Sequence, residues 1–426
     1  MHWMRYCICR VCIPGTIITL ALAAVPPALR GETLQLHEAE RLALESAPSV
    51  EMMKSKESAL NELEVAAAQL PDPMLKMGLM NLPTDSFELG QEPMTQVQFG
   101  VIQRFPRGDT RDLRSELLRQ RAQGLDEMAR DAELRITLAV REEYVEVLKQ
   151  QRLAEINRKA ESVFSGLEQI TRDYYATGRA QQQDVLQAAV ELAKVQERAS
   201  LIEEEQQKAR ARLQVWIGEA AWRPLGNEWP QLPKPSRGQA ARDALVTHPR
   251  LLALHQEVVA ADTAVDLAEQ AYKPEFLLDL TYGGRGGTNP DGSSRSDLLT
   301  FMVMMDVPLF RQNRQDRTVA ASLAESSAAA YNRDDIYRRM LGELQAGDIT
   351  LERQEERLAL FQKSLLPEAE FNAEAAFQAY QAALDDMTTL MRARINEFDL
   401  QLAYIRLQAE ALKTTARLLY FEGGES

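Results

Sequence analysis

The chain has 426 residues and a formal net charge of -14 at pH 7. This charge argues against nucleic acid as a partner, because phosphate binding requires a basic face. Aromatic residues make up only 6% of the chain, and its long stretches of Ala, Leu, Glu, Gln and Arg are typical of long helices and coiled coils.

Residues 1–24 have the pattern of a secretory signal peptide. A short basic start precedes an apolar run over residues 11–25, and Ala21-Leu22-Ala23 offers the small residues of a cleavage site. The run is shorter than the roughly 20 apolar residues that a membrane-spanning helix needs, which favours a signal peptide over an uncleaved anchor. All the cysteines lie in this segment: Cys7, Cys9 and Cys12. We therefore expect a mature chain without disulfides or thiolate metal sites.

The rest of the chain carries one plan twice, at an offset of 201 residues. We expect a first repeat over residues 34–217, a connector over 218–238, a second repeat over 239–421 and a short tail over 422–426. The residues that coincide with an identical residue 201 positions later include Ala39, Arg41, Ala43, Leu44, Pro48, Ala59, Ala67, Gln69 and Pro73. Such a tandem repeat suggests a symmetric assembly rather than an enzyme with one cleft.

Each repeat begins with a predicted helix and two predicted strands. In the first repeat the helix covers residues 34–70, with a kink at Pro48, and it ends at Pro71-Asp72-Pro73. The strands alternate apolar and polar residues, and they cover residues 74–82, 94–105, 276–283 and 299–307.

This strand pattern has two interpretations. Strands of about ten residues with one apolar side suit a closed membrane barrel, but a water-soluble sheet with one wet face shows the same alternation. Four strands cannot close a barrel, and a membrane tolerates no open sheet edge. A membrane location would therefore require several copies of the chain, and three copies would supply twelve strands.

A very long helix follows each strand pair, over residues 110–172 and 315–376. Each would extend roughly 90 Å at 1.5 Å per residue, and its apolar residues recur at the spacing of a coiled coil. Each ends in a tight turn and a returning helix. The turns are Tyr175–Ala180 and Tyr380–Ala383, which match at an offset of 205 residues.

The order of parts resembles the TolC-type outer-membrane efflux channel family. Its most specific elements are the duplicated plan, the strand exits Gln103-Arg104-Phe105-Pro106 and Asp306-Val307-Pro308-Leu309-Phe310, and the turn Tyr175-Ala176-Thr177-Gly178. Shorter stretches are similar to the heavy-metal branch of that family. These are Leu70-Pro71-Asp72-Pro73, Asn81-Leu82-Pro83, Met94-Thr95 and Phe105-Pro106-Arg107-Gly108-Asp109.

The resemblance implies a mainly α fold with a small membrane β-barrel. A homotrimer would form a twelve-stranded barrel in the outer membrane and an α-helical coiled-coil tunnel through the periplasm. The tunnel would dock a periplasmic adaptor (membrane fusion) protein and an inner-membrane pump of the resistance-nodulation-division class. The chain would then be a passive exit duct, with heavy-metal cations as the expected substrates and with no cofactor. The alternative is a periplasmic coiled-coil adaptor or scaffold protein without a channel.

The resemblance also places a gate at the two turns. Asp184 would line the narrow mouth and Tyr380 would begin the matching turn. With Asp385 and Asp386, three chains would concentrate negative charge there, and such rings select cations. Arg179 is a candidate for the closing contact. The alternative is that these acids only cap helices, where Asp is favourable.

The same turns are the expected docking surface for the adaptor. Tyr175, Gly178 and Ala383 are the candidate residues, because small side chains at Gly178 and Ala383 would let a helical hairpin approach the backbone closely. The alternative for Gly178 is that it merely supplies a positive φ angle.

Metal and enzyme sites are not predicted. His248 and His255 are seven residues apart but lack Cys or carboxylate company, and Met302, Met304 and Met305 are more typical of gap-filling apolar residues. Gly283-Gly284 and Gly286-Gly287 lie in a polar loop between strands rather than at the strand-to-helix turn of a phosphate site.

Overall fold

The computed structural model describes residues 33–423, so the predicted signal peptide and residues 424–426 of the predicted tail lie outside the described part. The fold is mainly α-helical with a small antiparallel sheet, as predicted. The helices are α1 (Leu36–Glu45), α2 (Pro48–Ala67), α3 (Thr110–Ala176), α4 (Gln182–Ile217), α5 (Gln239–Val246), α6 (Pro249–Glu269), α7 (Gln315–Leu360), α8 (Leu366–Gln381) and α9 (Met387–Phe421). The strands are β1 (Met74–Met80), β2 (Gln96–Phe105), β3 (Phe276–Gly284) and β4 (Leu298–Met305).

The prediction of one kinked helix over residues 34–70 is wrong, because two helices occupy this stretch. α1 ends at Glu45, and Pro48 is the first residue of α2. Proline is favoured there, since the first helical N–H has no acceptor within the helix and the fixed φ suits a helix start. The second repeat breaks at the same place, with Pro249 beginning α6.

The predicted second long helix is also interrupted. α7 ends at Leu360, and a π turn over Phe361–Leu365 precedes α8. Pro367 lies in the first turn of α8, where its missing N–H would break a regular α-helical ladder. The π turn, with its wider hydrogen-bond spacing, accommodates the missing N–H of Pro367, so the chain stays helical through this region. α3, which contains no proline, runs uninterrupted for 67 residues, about 100 Å.

The helices pack side by side in two groups. Near the sheet, the packed pairs are α2 with α3, α3 with α6, and α6 with α7. Farther from the sheet, α3 packs against α4 and α9, and α8 packs against α9. Two buried apolar clusters hold α3 against its neighbours. One contains Val140 and Leu148 of α3 with Leu213 of α4, and the other contains Phe164 of α3 with Leu390 and Phe398 of α9.

The connector contacts residues of both repeats. Leu34 N–H donates a hydrogen bond to the Pro224 carbonyl at 2.9 Å. Trp229 Nε1 donates to Gln408 Oε1 at 3.0 Å, and the Arg152 guanidinium lies 4.8 Å from the Trp229 ring centre.

Among the helices of residues 33–423, none combines the length and the hydropathy required to cross a membrane.

Candidate functional site

The turn between α3 and α4 ends α3 with a Schellman motif, a common form of helix C-terminus. Gly178 has a φ of 74° and its N–H donates to the Tyr175 carbonyl at 3.0 Å. The next N–H, of Arg179, donates to the Tyr174 carbonyl at 2.7 Å. These two bonds satisfy carbonyls that the helix end leaves free. No described atom would lie within 4 Å of a β-carbon added at Gly178, so one side of this turn is open.

The second turn has the same geometry without a glycine. Ala383 has a φ of 56°, and its N–H donates to the Tyr380 carbonyl at 3.1 Å. Leu384 N–H donates to the Ala379 carbonyl at 2.9 Å, and the Leu384 side chain is 83% exposed. An alanine in the left-handed region is strained, because its β-carbon approaches the following carbonyl. The turn that the sequence matched at an offset of 205 is therefore conserved in shape while its residues differ.

Two of the three candidate gate acids make capping contacts. Asp184 Oδ2 accepts a hydrogen bond from Gln181 N–H at 2.8 Å as part of a capping box. Asp386 Oδ1 accepts from Thr389 N–H at 2.7 Å, and this backbone bond lowers the pKa of Asp386. Asp385 Oδ1 accepts from Asp386 N–H at 2.8 Å. Capping thus accounts for the contacts of Asp184 and Asp386, whereas Asp385 bonds only the N–H of its neighbour in sequence. A gate role for the three acids stays a prediction.

Tyr380 is packed inside its own hairpin. It is 8% exposed, its ring centre lies 5.8 Å from that of Tyr174, and its hydroxyl has no hydrogen-bond partner among the described residues. Burial raises the pKa of this hydroxyl. Tyr174 was not singled out from the sequence, although it is the aromatic neighbour of the predicted Tyr175.

The other candidate turn residues are exposed. Tyr175 is half-exposed, and Arg179 has no ion-pair partner within residues 33–423. One chain therefore does not bring Arg179 to Asp184 or Asp385, and any closing contact would have to form elsewhere in an assembly.

The sheet carries an apolar face that the helices do not cover. Its order is β1-β2-β3-β4, with all pairs antiparallel. Directly paired residues share a face, so the register assembles apolar rows across the strands. Two complete rows are Leu75, Val101, Leu280 and Phe301, and Met77, Phe99, Tyr282 and Leu299. All eight of these side chains are exposed, the most being Leu75 at 81%.

The opposite face of the sheet is polar. Lys76 Nζ reaches across β2 to Asp279 Oδ2 at 3.0 Å, and Thr281 Oγ1 donates to Asp279 Oδ1 at 2.5 Å. The path is open because Gly100 lies between Lys76 and Thr281 in the register, and a β-carbon there would come within 2.5 Å of Thr281 Oγ1. This ion pair is not among the contacts predicted from the sequence, although Lys76 and Asp279 occupy the polar positions of their strands.

The two histidines do not share a site. His248 is fully buried at the start of α6, where Nδ1 accepts a hydrogen bond from Arg250 N–H at 3.2 Å. Its Nε2 lies 3.0 Å from the Tyr420 carbonyl, which makes Nε2 the protonated nitrogen. Burial lowers the pKa of His248. Within the described chain, no group of three or more His, Cys, Asp or Glu side chains is placed to hold a metal ion.

Known structures share this architecture. A membrane protein from Pseudomonas aeruginosa superposes with a TM-score of 0.79 over 91% of this chain and 90% of its own, at 16% identity. The outer membrane protein VceC from Vibrio cholerae gives 0.77 over 92% and 96%, at 18% identity. CusC, whose structures are described in terms of transmembrane channel formation, gives 0.76 over 92% of each chain, at 15% identity.

Sequence comparison adds a family assignment for the second repeat. The model of the outer membrane efflux protein family matches residues 240–424. Comparison with curated protein sequences gives no significant match. The resemblance to TolC-type outer-membrane efflux proteins predicted from the sequence is confirmed. The chain has the fold of TolC-type outer-membrane channels over most of its length, and the match of its second repeat to the outer membrane efflux protein family agrees with that fold.

Proposed function

We propose that the chain is the outer-membrane channel of a tripartite efflux system and that three copies form one twelve-stranded barrel. The observation that carries this proposal is the uncovered apolar face of the sheet. A water-soluble protein would hide so large an apolar surface, whereas side chains on the outer face of a membrane barrel lie against lipid.

The free edges of the sheet support the trimer. β1 and β4 have no second partner strand within residues 33–423, and unpaired backbone groups are not tolerated in lipid. The strands alternate in direction, so β4 of one copy can pair with β1 of the next copy and keep the alternation. The barrel then closes with an even number of strands, as membrane barrels of this class do.

The polar face of the sheet would line the barrel. The Lys76–Asp279 pair has no net charge, so this level of the pore would not itself select strongly for ions. We place any cation preference at the other end of the molecule, near Asp184, Asp385 and Asp386. A ring of carboxylates in a constriction raises the local cation concentration.

Heavy-metal cations are the proposed cargo, delivered by an inner-membrane pump through a periplasmic adaptor that contacts the two turns. The similarity of Leu70-Pro71-Asp72-Pro73 and Asn81-Leu82-Pro83 to the heavy-metal branch supports this choice. The exposure of Tyr175, Gly178 and Ala383 and the open space beside Gly178 support docking at the turns. The alternative, a periplasmic adaptor or scaffold, leaves the uncovered apolar face without a purpose.

Fractionation and electrophoresis test the channel proposal. We expect the protein in the outer-membrane fraction as a trimer band that converts to a monomer band on heating. A monomer that is soluble without detergent would contradict the proposal.

Planar-bilayer recording tests the gate. Asp184→Asn combined with Asp385→Asn and Asp386→Asn is expected to reduce cation preference and to keep the trimer, because Asn also caps helices. Asp291→Asn, in the loop between β3 and β4, is the matched control. An unchanged preference for cations in the triple variant would show that these three carboxylates do not select the ions.

A further inference from the structure

The two strand-to-helix linkers differ in how their charges are satisfied. In the first repeat, residues 106–109 join β2 to α3, and their charged groups are paired. Arg107 forms an ion pair with Asp306, and Asp109 pairs with Lys273 at 2.8 Å. Neither charge of this linker is left for a further partner.

The second linker is longer, and two arginines where it joins α7 have no ion-pair partner among the described residues. β4 ends at Met305 and α7 begins at Gln315. Arg314 and Arg317 are exposed and have no ion-pair partner among the described residues. The nearest acid in sequence, Asp316, is already engaged, because its Oδ1 accepts the Tyr272 hydroxyl at 2.7 Å.

The same segment exposes large apolar side chains. Leu309 is 74% exposed and Phe310 is 79% exposed, four and five residues after the end of β4 at Met305. The backbone around them is held in place: Arg311 Nε donates to the Pro308 carbonyl at 3.1 Å, and its guanidinium lies 5.5 Å from the ring centre of Tyr272. An aromatic and an aliphatic side chain thus lie in the same short segment as two guanidinium groups that have no ion-pair partner among the described residues.

We propose that residues 307–317, the lipid-contact segment, bind the headgroup of an anionic phospholipid at the periplasmic edge of the barrel. Leu309 and Phe310 enter the acyl-chain region, continuing the apolar face of β4. Arg314 and Arg317 bind the phosphate, for which guanidinium is well suited. The inference rests on the proposed outer-membrane location, since the apolar face then lies in lipid and this segment at its boundary.

Charge decides between a lipid and a neighbouring copy as the occupant. In the trimer, the segment that leads into β1 of the next copy would come close, and its acid is Asp72 within Pro71-Asp72-Pro73. One carboxylate cannot neutralise two unpaired arginines in each copy, whereas a leaflet of anionic lipid supplies phosphates to both.

The test measures lipid binding to the full-length protein in neutral detergent. Short-chain phosphatidylglycerol is titrated, with binding followed by thermophoresis, and phosphatidylcholine and inorganic phosphate are titrated in parallel. Arg314→Gln with Arg317→Gln is expected to weaken phosphatidylglycerol binding about thirtyfold, from about 1 kcal/mol for each arginine near an anionic surface. The matched control, Arg338→Gln with Arg406→Gln, removes two exposed unpaired arginines of α7 and α9 and is expected to stay within about twofold of the parent.

Each other outcome overturns the proposal in an identifiable way. If both double variants bind phosphatidylglycerol with equal affinity, Arg314 and Arg317 do not bind the lipid. Equal competition by inorganic phosphate indicates a free-anion site. Loss of the trimer in lipid-free detergent by Arg314→Gln with Arg317→Gln identifies the neighbouring copy as the occupant. Conductance and heat-modifiable trimers are measured on the same samples, so a failure of the channel proposal is seen separately.

Discussion

The two long helical arms fold alike but hold α9 by different means. α3 contacts α9 through apolar packing, as between Phe164 and Phe398, and in addition through a buried charge cluster. In this cluster Glu146 accepts hydrogen bonds from Lys413 at 2.5 Å and from Lys149 at 2.7 Å. α7 contacts α9 through apolar packing, where Gly347 lies under Leu418 and Leu344 is buried. The comparison teaches that a duplicated plan conserves where the elements lie, while the chemistry of each contact is set separately.

The largest effect is expected at the charged contact. Glu146→Ala leaves two lysines half-buried without their carboxylate and is expected to destabilise the fold by about 3–5 kcal/mol. Glu142→Ala, which removes a more exposed pair with Arg417, is the control and is expected to cost less than about 1 kcal/mol. Denaturant unfolding measures both. Equal losses in the two variants would show that the cluster contributes no more than a surface pair.

A second expected difference separates the starts of α2 and α6. His248 caps α6, whereas its counterpart one repeat earlier, Ala47, provides no side-chain cap for α2. His248→Ala removes two hydrogen bonds and a fully buried ring, for an expected loss of about 3 kcal/mol. Ala47→Ser supplies the missing cap and is expected to add about 1 kcal/mol. Thermal unfolding of the two variants checks the signs, and a gain from His248→Ala would contradict this account.

The pH dependence sharpens the same comparison. Burial lowers the pKa of His248 below its ordinary value of 6.5, so the unfolded chain binds a proton at a higher pH than the folded chain. The contribution of His248 is therefore complete above pH 6.5 and decreases as the pH falls below 6.5, by at most about 1.4 kcal/mol for each pH unit. His248→Gln removes the titration and is expected to flatten the curve between pH 6.5 and 5.5. If the unfolding free energies of the parent and of His248→Gln change with pH in parallel, His248 is not held neutral in the folded chain.

The smallest expected effect is an exchange between the two helix turns. Gly178→Ala places a β-carbon at a φ of 74° and is expected to cost about 1 kcal/mol. Ala383→Gly relieves the same conformation and is expected to gain up to about 1 kcal/mol, less the entropy that glycine adds to the unfolded chain. Changes in the unfolding free energy of opposite sign in the two variants would support equal geometry of the two turns. A loss in both variants would show that Ala383 is held by packing.

The sequence predicted the parts that depend on local pattern. Alternation placed the four strands within two residues or so of their ends, and the offset between Tyr175 and Tyr380 identified two turns of one geometry. The start of α2 was misassigned because proline at a first helical position and proline at a kink look the same in one sequence.

Contacts between distant residues could not be read in this way. The Lys76–Asp279 pair depends on strand register, and the buried contact of Glu146 with Lys413 depends on how α3 meets α9. The capping contacts of Asp184 and Asp386 were foreseen as an alternative, because helix starts have a local signature. Whether those acids also face a pore depends on the assembly.

The π turn has a consequence for the direction of the second hairpin tip. α3 spans 67 residues, and the second arm covers the same number from Gln315 to Gln381. A π turn winds an additional residue into one turn, so positions beyond Leu365 are rotated by about 100°, the angle of a single α-helical step. The two arms have equal numbers of residues, but their tips therefore expose different faces of the helix. A threefold ring of such chains would then alternate two kinds of surface around its rim.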